Sequence, residues 1–331
     1  MKAAALFNAN PCARSEAVTG QRLSPKPKTV KPQKSPMNPT APISPMKRTT
    51  RTTWTTRTTR TAWMAWMALL TLLALGGCAS TTPGGVPIDT SHTAKGQDSR
   101  VMFLILHYTV ADLPISLHVL TQQNVSAHYL LTDESPPRIY RLVDEERRAW
   151  HSGVSGWKGQ RLLNAASIGI EIVHPGFKLG PDKQRIYQPF PQTQIDALIP
   201  LVKDIVARHQ IRPDRVLGHG EVTPAYKEDP GPTFPWKQLA DLGITPPWPD
   251  ATRVAAQQAL FEAQLPDASW FQAALLQWGY VFERTGAWDA PSQRVLMNFQ
   301  MRYRPGNYSG QPDAESAALL FVLNNPAAPQ P

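Results

Sequence analysis

The chain has 331 residues, 42% of them hydrophobic, enough for one or two folded domains. Its formal charge of +9 is confined to one end: residues 1–77 hold twelve Lys and Arg against the single acid Glu16, while the remainder carries 22 basic and 24 acidic side chains. The basic excess belongs to the N-terminal stretch and gives no ground for a nucleic-acid partner.

Residues 1–61 are rich in Pro, Thr, Lys and Arg and cannot build a core. Lys47, Arg48, Arg51, Arg57 and Arg60 then precede the apolar run 62–75 (AWMAWMALLTLLAL), which ends in Gly76-Gly77-Cys78. A basic region, an apolar region and small residues predict a secretory leader over 1–77. The run is shorter than the roughly 20 residues a transmembrane helix needs. Leu75-Gly76-Gly77-Cys78 resembles the lipobox of bacterial lipoproteins, which implies acylation of Cys78 and attachment to a membrane through that N-terminal lipid. Ala79, in place of Asp, points to the outer membrane, facing the periplasm. An uncleaved anchor or an ordinary secretory signal is the alternative. Cys12 is the other cysteine, so cleavage before Cys78 leaves no internal disulfide and no thiolate pair, and a metal would have to be held by His, Asp or Glu.

Residues 78–97 are small and polar with Pro and Gly, a flexible tether. The continuous apolar run 101–106 (VMFLIL) predicts a strand buried on both faces. Residues 125–131 and 139–142 predict further strands around the turn Ser135-Pro136-Pro137, and 168–173 (IGIEIV) a strand with one acid inside it. Apolar residues from Ile195 to Val206 recur at helical spacing over 193–210. Pro200 inside that helix should cost about 3 kcal/mol, so a kink or a later start is expected. Val216-Leu217 is a short strand. Strands and helices interleave, giving an α/β domain over 98–246. Thr245-Pro246-Pro247-Trp248-Pro249 opens a linker over 247–262, and 263–326 reads as a small domain of three helices, 268–278, 290–302 and 314–323.

His107 directly follows the first buried strand, where a side chain can project from the sheet end into a cleft. His219 closes another strand, and Asp229 lies ten residues on, in Lys227-Glu228-Asp229-Pro230-Gly231-Pro232. A lone His at a strand end is more often a hydrogen-bonded structural residue. Two imidazoles and one carboxylate, however, make a three-ligand zinc set with the fourth position open. Spacing alone does not tie them together.

The stretches LILHYT around His107, Ser167-Ile168-Gly169-Ile170-Glu171, and Gly218-His219 followed by Lys227-x-Asp229-Pro-Gly-Pro-x-Phe234-Pro-Trp236 resemble, in this order, the zinc-dependent N-acetylmuramoyl-L-alanine amidases. The resemblance covers about 150 residues. It implies a mixed central sheet flanked by helices, as in peptidoglycan recognition proteins. It also implies zinc on His107, His219 and Asp229, with Glu171 and Lys227 as catalytic residues, and peptidoglycan glycan and stem peptide as the partner. Glu171 would move the water proton to the leaving amine, and Lys227 would face the oxyanion. Trp150-His151-Ser152-Gly153 resembles a family segment beside the cleft, so His151 is expected to touch substrate or to be structural. Trp236 is expected to pack in the core or to line the sugar groove. Leu275-Leu276-Gln277-Trp278-Gly279-Tyr280, Gly286-x-Trp288-Asp289 and Gly310-x-Pro312-Asp313 resemble the three-helix peptidoglycan-binding domain of wall hydrolases. A non-catalytic recognition protein and a zinc peptidase acting within the stem peptide are the competing readings. Oligomeric state is not legible.

Overall fold

The computed structural model describes residues 79–326. The expected leader and Cys78 lie outside the described residues. The chain divides into two units, one ending at Gly96 and one beginning at Gln97. In the first, Ala79–Thr81 (β1) pairs antiparallel with Pro87–Asp89 (β2) within the expected tether. Gly85, at φ 81°, makes the turn between them.

Beyond the hairpin the strands are Phe103–Tyr108 (β3), Tyr129–Leu131 (β4), Ile139–Arg141 (β5), Gly156–Trp157 (β6), Gln160–Arg161 (β7), Ser167–Ile172 (β8), Phe177–Leu179 (β9), Arg185–Tyr187 (β10) and Val216–Gly218 (β11). The helices are Leu113–Gln122 (α1), Gln192–His209 (α2), His219–Val222 (α3), Trp236–Asp241 (α4), Ala251–Ala263 (α5), Ala268–Trp278 (α6), Ala290–Tyr303 (α7) and Ala314–Asn324 (α8). One five-stranded mixed sheet runs in the order β11-β3-β8-β4-β5, with β5 antiparallel to β4 and the other pairs parallel.

Successive side chains of a strand point to opposite faces, which divides the core in two. Leu104 and Leu106 of β3, with Ile168, Ile170 and Ile172 of β8, meet Ile195, Leu198, Val202 and Ile205 of α2. Phe103 and Ile105 face the other way, onto Leu275, Val295, Leu296, Phe299 and Tyr303. The C-terminal helices therefore cover the second face of the sheet and share its core. The stretch expected as a linker is no break in the packing. From Ala251 onward it is α5, capped by the Asp250 carboxylate accepting from Arg253 N at 2.8 Å and uninterrupted by Gly or Pro. The three expected helices stand as α6, α7 and α8, and α5 precedes them within the expected linker.

Two further departures have local causes. Helix α2 begins at Gln192 and continues through Pro200, whose side chain lies on the exposed face while Leu198 and Val202 on either side are buried. That burial offsets the lost hydrogen bond. Helix α1 has no counterpart in the sequence reading. The Asp112 carboxylate caps it by accepting from Ile115 N at 3.0 Å, with Pro114 in its first turn.

Candidate metal centre

The register of the parallel strands sets the site. His107 of β3 lies opposite Glu171 of β8, and Glu171 lies opposite Leu130 of β4, so all three point to the same face. Gly218 ends β11 level with Leu106, which brings His219 to the same sheet end as His107. Ligands of open α/β sheets sit in this position, outside the carboxyl ends of the strands.

Asp229 arrives on the loop after α3. Gly220 N donates to the Asp229 carbonyl at 2.8 Å, and Gly231 N donates to the Glu228 carbonyl at 2.9 Å, closing a tight turn with Gly231 at φ 78°. Arg185 of β10 pairs with Glu228 and ties the β9–β10 hairpin to the loop. Asp229 Oδ2 thus lies 3.2 Å from Nδ1 of His107 and 3.2 Å from Nδ1 of His219. The ligand atoms of the three residues all fall within 4.8 Å of one another, and all three residues are buried.

A chain of hydrogen bonds assigns the tautomer of His107. The Ser167 hydroxyl donates to the Leu163 carbonyl at 2.7 Å, so its oxygen accepts from His151 Nε2, 3.1 Å away. His151 then carries its proton on Nε2 and accepts at Nδ1 from His107 Nε2, at 3.0 Å. The lone pair of His107 is left on Nδ1. Burial, followed by neighbouring His219, lowers the His107 pKa to about 4, and burial pushes His151 well below its ordinary value. Both rings are neutral at pH 7. A bare nitrogen lone pair therefore faces a carboxylate oxygen at 3.2 Å. Two acceptors at that distance repel unless a cation lies between them, and burial also works against the Asp229 charge. The donor set fits zinc, which takes imidazole nitrogen and carboxylate oxygen in a tetrahedral site.

Glu171 borders this cluster, with Oε1 4.0 Å from His107 Nδ1 and Oε2 buried without a protein partner. Burial, and then the Asp229 carboxylate, raise its pKa to about 8, while Lys227 pulls in the opposite direction. Lys227 also bears on His107, so its ammonium is close enough to act on both sides of the site.

The structure thus brings together His107, His219, Asp229, Glu171 and Lys227. The two residues considered for substrate contact lie elsewhere. His151 is 8% exposed with both ring nitrogens engaged by the protein, so it stands behind His107 and presents nothing to a ligand. Trp236 is 3% exposed, packed edge-on against Phe234 and covered by the Arg302 guanidinium 4.1 Å from its ring, so it belongs to the core. Trp150, next to His151, is the exposed ring, at 51%. Ser167 and Gly169 matter in a way the sequence does not disclose. A Cβ on Gly169 would lie 2.4 Å from His151 Cγ, so only glycine lets the imidazole cross β8. His128 accepts from Gly169 N at 3.0 Å, and its Nε2 lies 3.1 Å from the Arg147 carbonyl.

Residues 97–232 match the family described as N-acetylmuramoyl-L-alanine amidase. The chain is 40% identical over 259 residues to N-acetylmuramoyl-L-alanine amidase AmiD of Escherichia coli K12, an alignment spanning 75% of this chain and 93% of that one. The solved structure of the E. coli AmiD complex with anhydro-N-acetylmuramic acid-L-Ala-D-gamma-Glu-L-Lys superposes with a TM-score of 0.64 at 38% identity, covering 73% of this chain and 96% of that chain. AMPDH3 of Pseudomonas aeruginosa, in complex with anhydromuramic pentapeptide, superposes with a TM-score of 0.66 at 38% identity, covering 72% and 97%.

Proposed function

The chain belongs to the N-acetylmuramoyl-L-alanine amidase family, and from that premise we propose that it hydrolyses the amide between the lactyl group of N-acetylmuramic acid and L-alanine with zinc held by His107, His219 and Asp229. The observation that carries the zinc reading is the buried convergence of His107 Nδ1 and His219 Nδ1 on Asp229 Oδ2, each 3.2 Å away. Peptidoglycan, or muropeptides released from it, is the substrate class, in line with the ligands of the two related structures. The presence of every ligand argues against a recognition protein without catalysis.

Zinc at these three residues supplies Lewis acidity to the scissile carbonyl and to the attacking water. The protein supplies the rest. Glu171 Oε2 is buried and without a protein partner; in its ionised form, which the Lys227 charge favours, it takes a proton from water, and the resulting carboxyl passes that proton to the leaving L-alanine amine. Lys227 brings positive charge to the side where the oxyanion develops, in a site largely closed to solvent. The Ser167–His151 relay keeps His107 in the ligand tautomer throughout.

The leader's apolar run and Cys78 support a lipid-anchored protein of the cell envelope, and Ala79 supports the outer membrane. Among the described residues no helix is long and apolar enough to cross a membrane.

Glu171→Gln tests the division of labour. On a synthetic muramyl peptide its kcat should fall by at least about 100-fold, while zinc content, measured by atomic emission, stays at the wild-type level. Unchanged turnover would remove Glu171 from the reaction.

A further inference from the structure

Helix α7 presents three polar side chains at four-residue spacing, Arg294, Asn298 and Arg302, and residues so spaced share one face of a helix. All three reach the segment that carries His219 and Asp229. Arg294 Nε donates to the Pro224 carbonyl at 3.2 Å. Asn298 Nδ2 donates to the Lys227 carbonyl at 3.2 Å and to Arg294 O at 3.0 Å. Asn298 Oδ1 lies only 2.0 Å from where a Cβ on Gly220 would stand, so the helix and the residue after His219 are in direct contact. Arg302 Nη1 donates to Glu221 Oε2 at 2.5 Å, and the same oxygen accepts from Gly218 N, the residue before His219, at 2.8 Å.

This stripe does more than glue two parts of the chain together. Arg302 and Glu221 are 4% and 5% exposed, and each keeps one buried polar atom, Nε and Oε1, without a protein partner. A buried ion pair satisfied this incompletely adds little net stability. Its directional effect is specific, because Glu221 is oriented by Arg302 and in turn fixes the backbone from which His219 projects. A small cavity bordered by Asp229, Gly220, Asn298 and Arg302 lies between the helix and the ligand loop, and Asn298 and Arg302 form part of its wall.

We propose that Arg294, Asn298 and Arg302 are positioning residues of the metal centre, and that helix α7 sets the separation of His219 from Asp229 and thereby the affinity for zinc. The C-terminal helices are then part of the catalytic scaffold, whatever wall contacts they also make. This inference rests on the reading that His107, His219 and Asp229 hold zinc.

The test uses the full chain, with zinc and cobalt(II) as probes. Wild type, Asn298→Ala, Arg302→Met and the control Gln300→Ala are compared by competition against a chromophoric chelator and by the visible absorption of the cobalt form. Gln300 is buried on the same helix but bonds to Gln311 O and Ser316 Oγ, away from the ligand loop. Asn298→Ala, which removes one neutral side chain, should weaken zinc binding about tenfold and alter the cobalt spectrum. Arg302→Met should do the same with a larger loss of Tm, and Gln300→Ala should lower Tm while leaving affinity and spectrum unchanged. Wild-type affinity and spectrum in Asn298→Ala would overturn the proposal, as would equal weakening in Gln300→Ala, which marks a general loss of stability. Failure of the wild type itself to bind zinc would instead overturn the reading of the ligands, a separately visible result.

Discussion

At the scale of single residues, the site depends on which nitrogen of His107 is bare, and three residues that touch no substrate decide it. Ser167 spends its proton on Leu163 O, His151 hands the effect on, and Gly169 leaves room for the ring. Gly169→Ala would put a methyl group 2.4 Å from His151 Cγ, in a buried place where neither ring nor strand can retreat cheaply. The variant should bind zinc about tenfold more weakly in a chelator competition; binding equal to wild type would show that the relay is dispensable. His107, His219, Asp229, Glu171 and Lys227 are legible because each sits in a short motif whose order along the chain is distinctive. The place of His151 is not legible. Its partners stand 16 and 44 residues away, and only the pairing of β3 with β8 shows that the imidazole lies between them.

At the scale of elements, the pattern of the sequence found those whose burial is one-sided or complete, such as β3, β8 and α2. It missed α1 and α5, where few residues are buried and capping by Asp112 and Asp250 carries the signal. One junction joins several elements. Glu145 accepts from Tyr129 of β4 at 2.6 Å and pairs with Arg208 in the last turn of α2, while His209 Nε2 lies 2.8 Å from it. Arg208 above all, helped by Tyr129 and His209, lowers the Glu145 pKa to about 2 against a burial cost. A carboxylate whose pKa is depressed on folding stabilises the protein above its unfolded value, and that contribution disappears as pH falls from about 4.5 towards 2. Because Arg208 is 43% exposed, solvent screening reduces the effect to about 1–2 kcal/mol. Glu145→Gln should therefore lower Tm at pH 7 by about 3–6 °C, and the gap to wild type should close towards pH 2. A gap that stays constant with pH would mean that the charge of Glu145 contributes nothing.

At the scale of the whole molecule, the sequence suggested two domains because Thr245-Pro246-Pro247 interrupts the pattern and the helices beyond it have their own motif. The structure shows one core on the second face of the sheet, in which Phe103, Ile105 and Leu217 pack with Phe299, Leu296 and Tyr303. No local signal reports which apolar residues of one segment will cover those of another. A chain cut after Thr245 would expose that face and should aggregate or show no cooperative melting; a soluble fragment with a sharp transition would separate the two regions energetically. The reaction itself is read by digestion of purified peptidoglycan followed by mass spectrometry of the products. Hydrolysis of the muramyl–alanine amide should release free stem peptides beginning at L-alanine, absent with a chelator and restored by zinc. Cuts between amino acids of the stem, or wall bound intact, would contradict it.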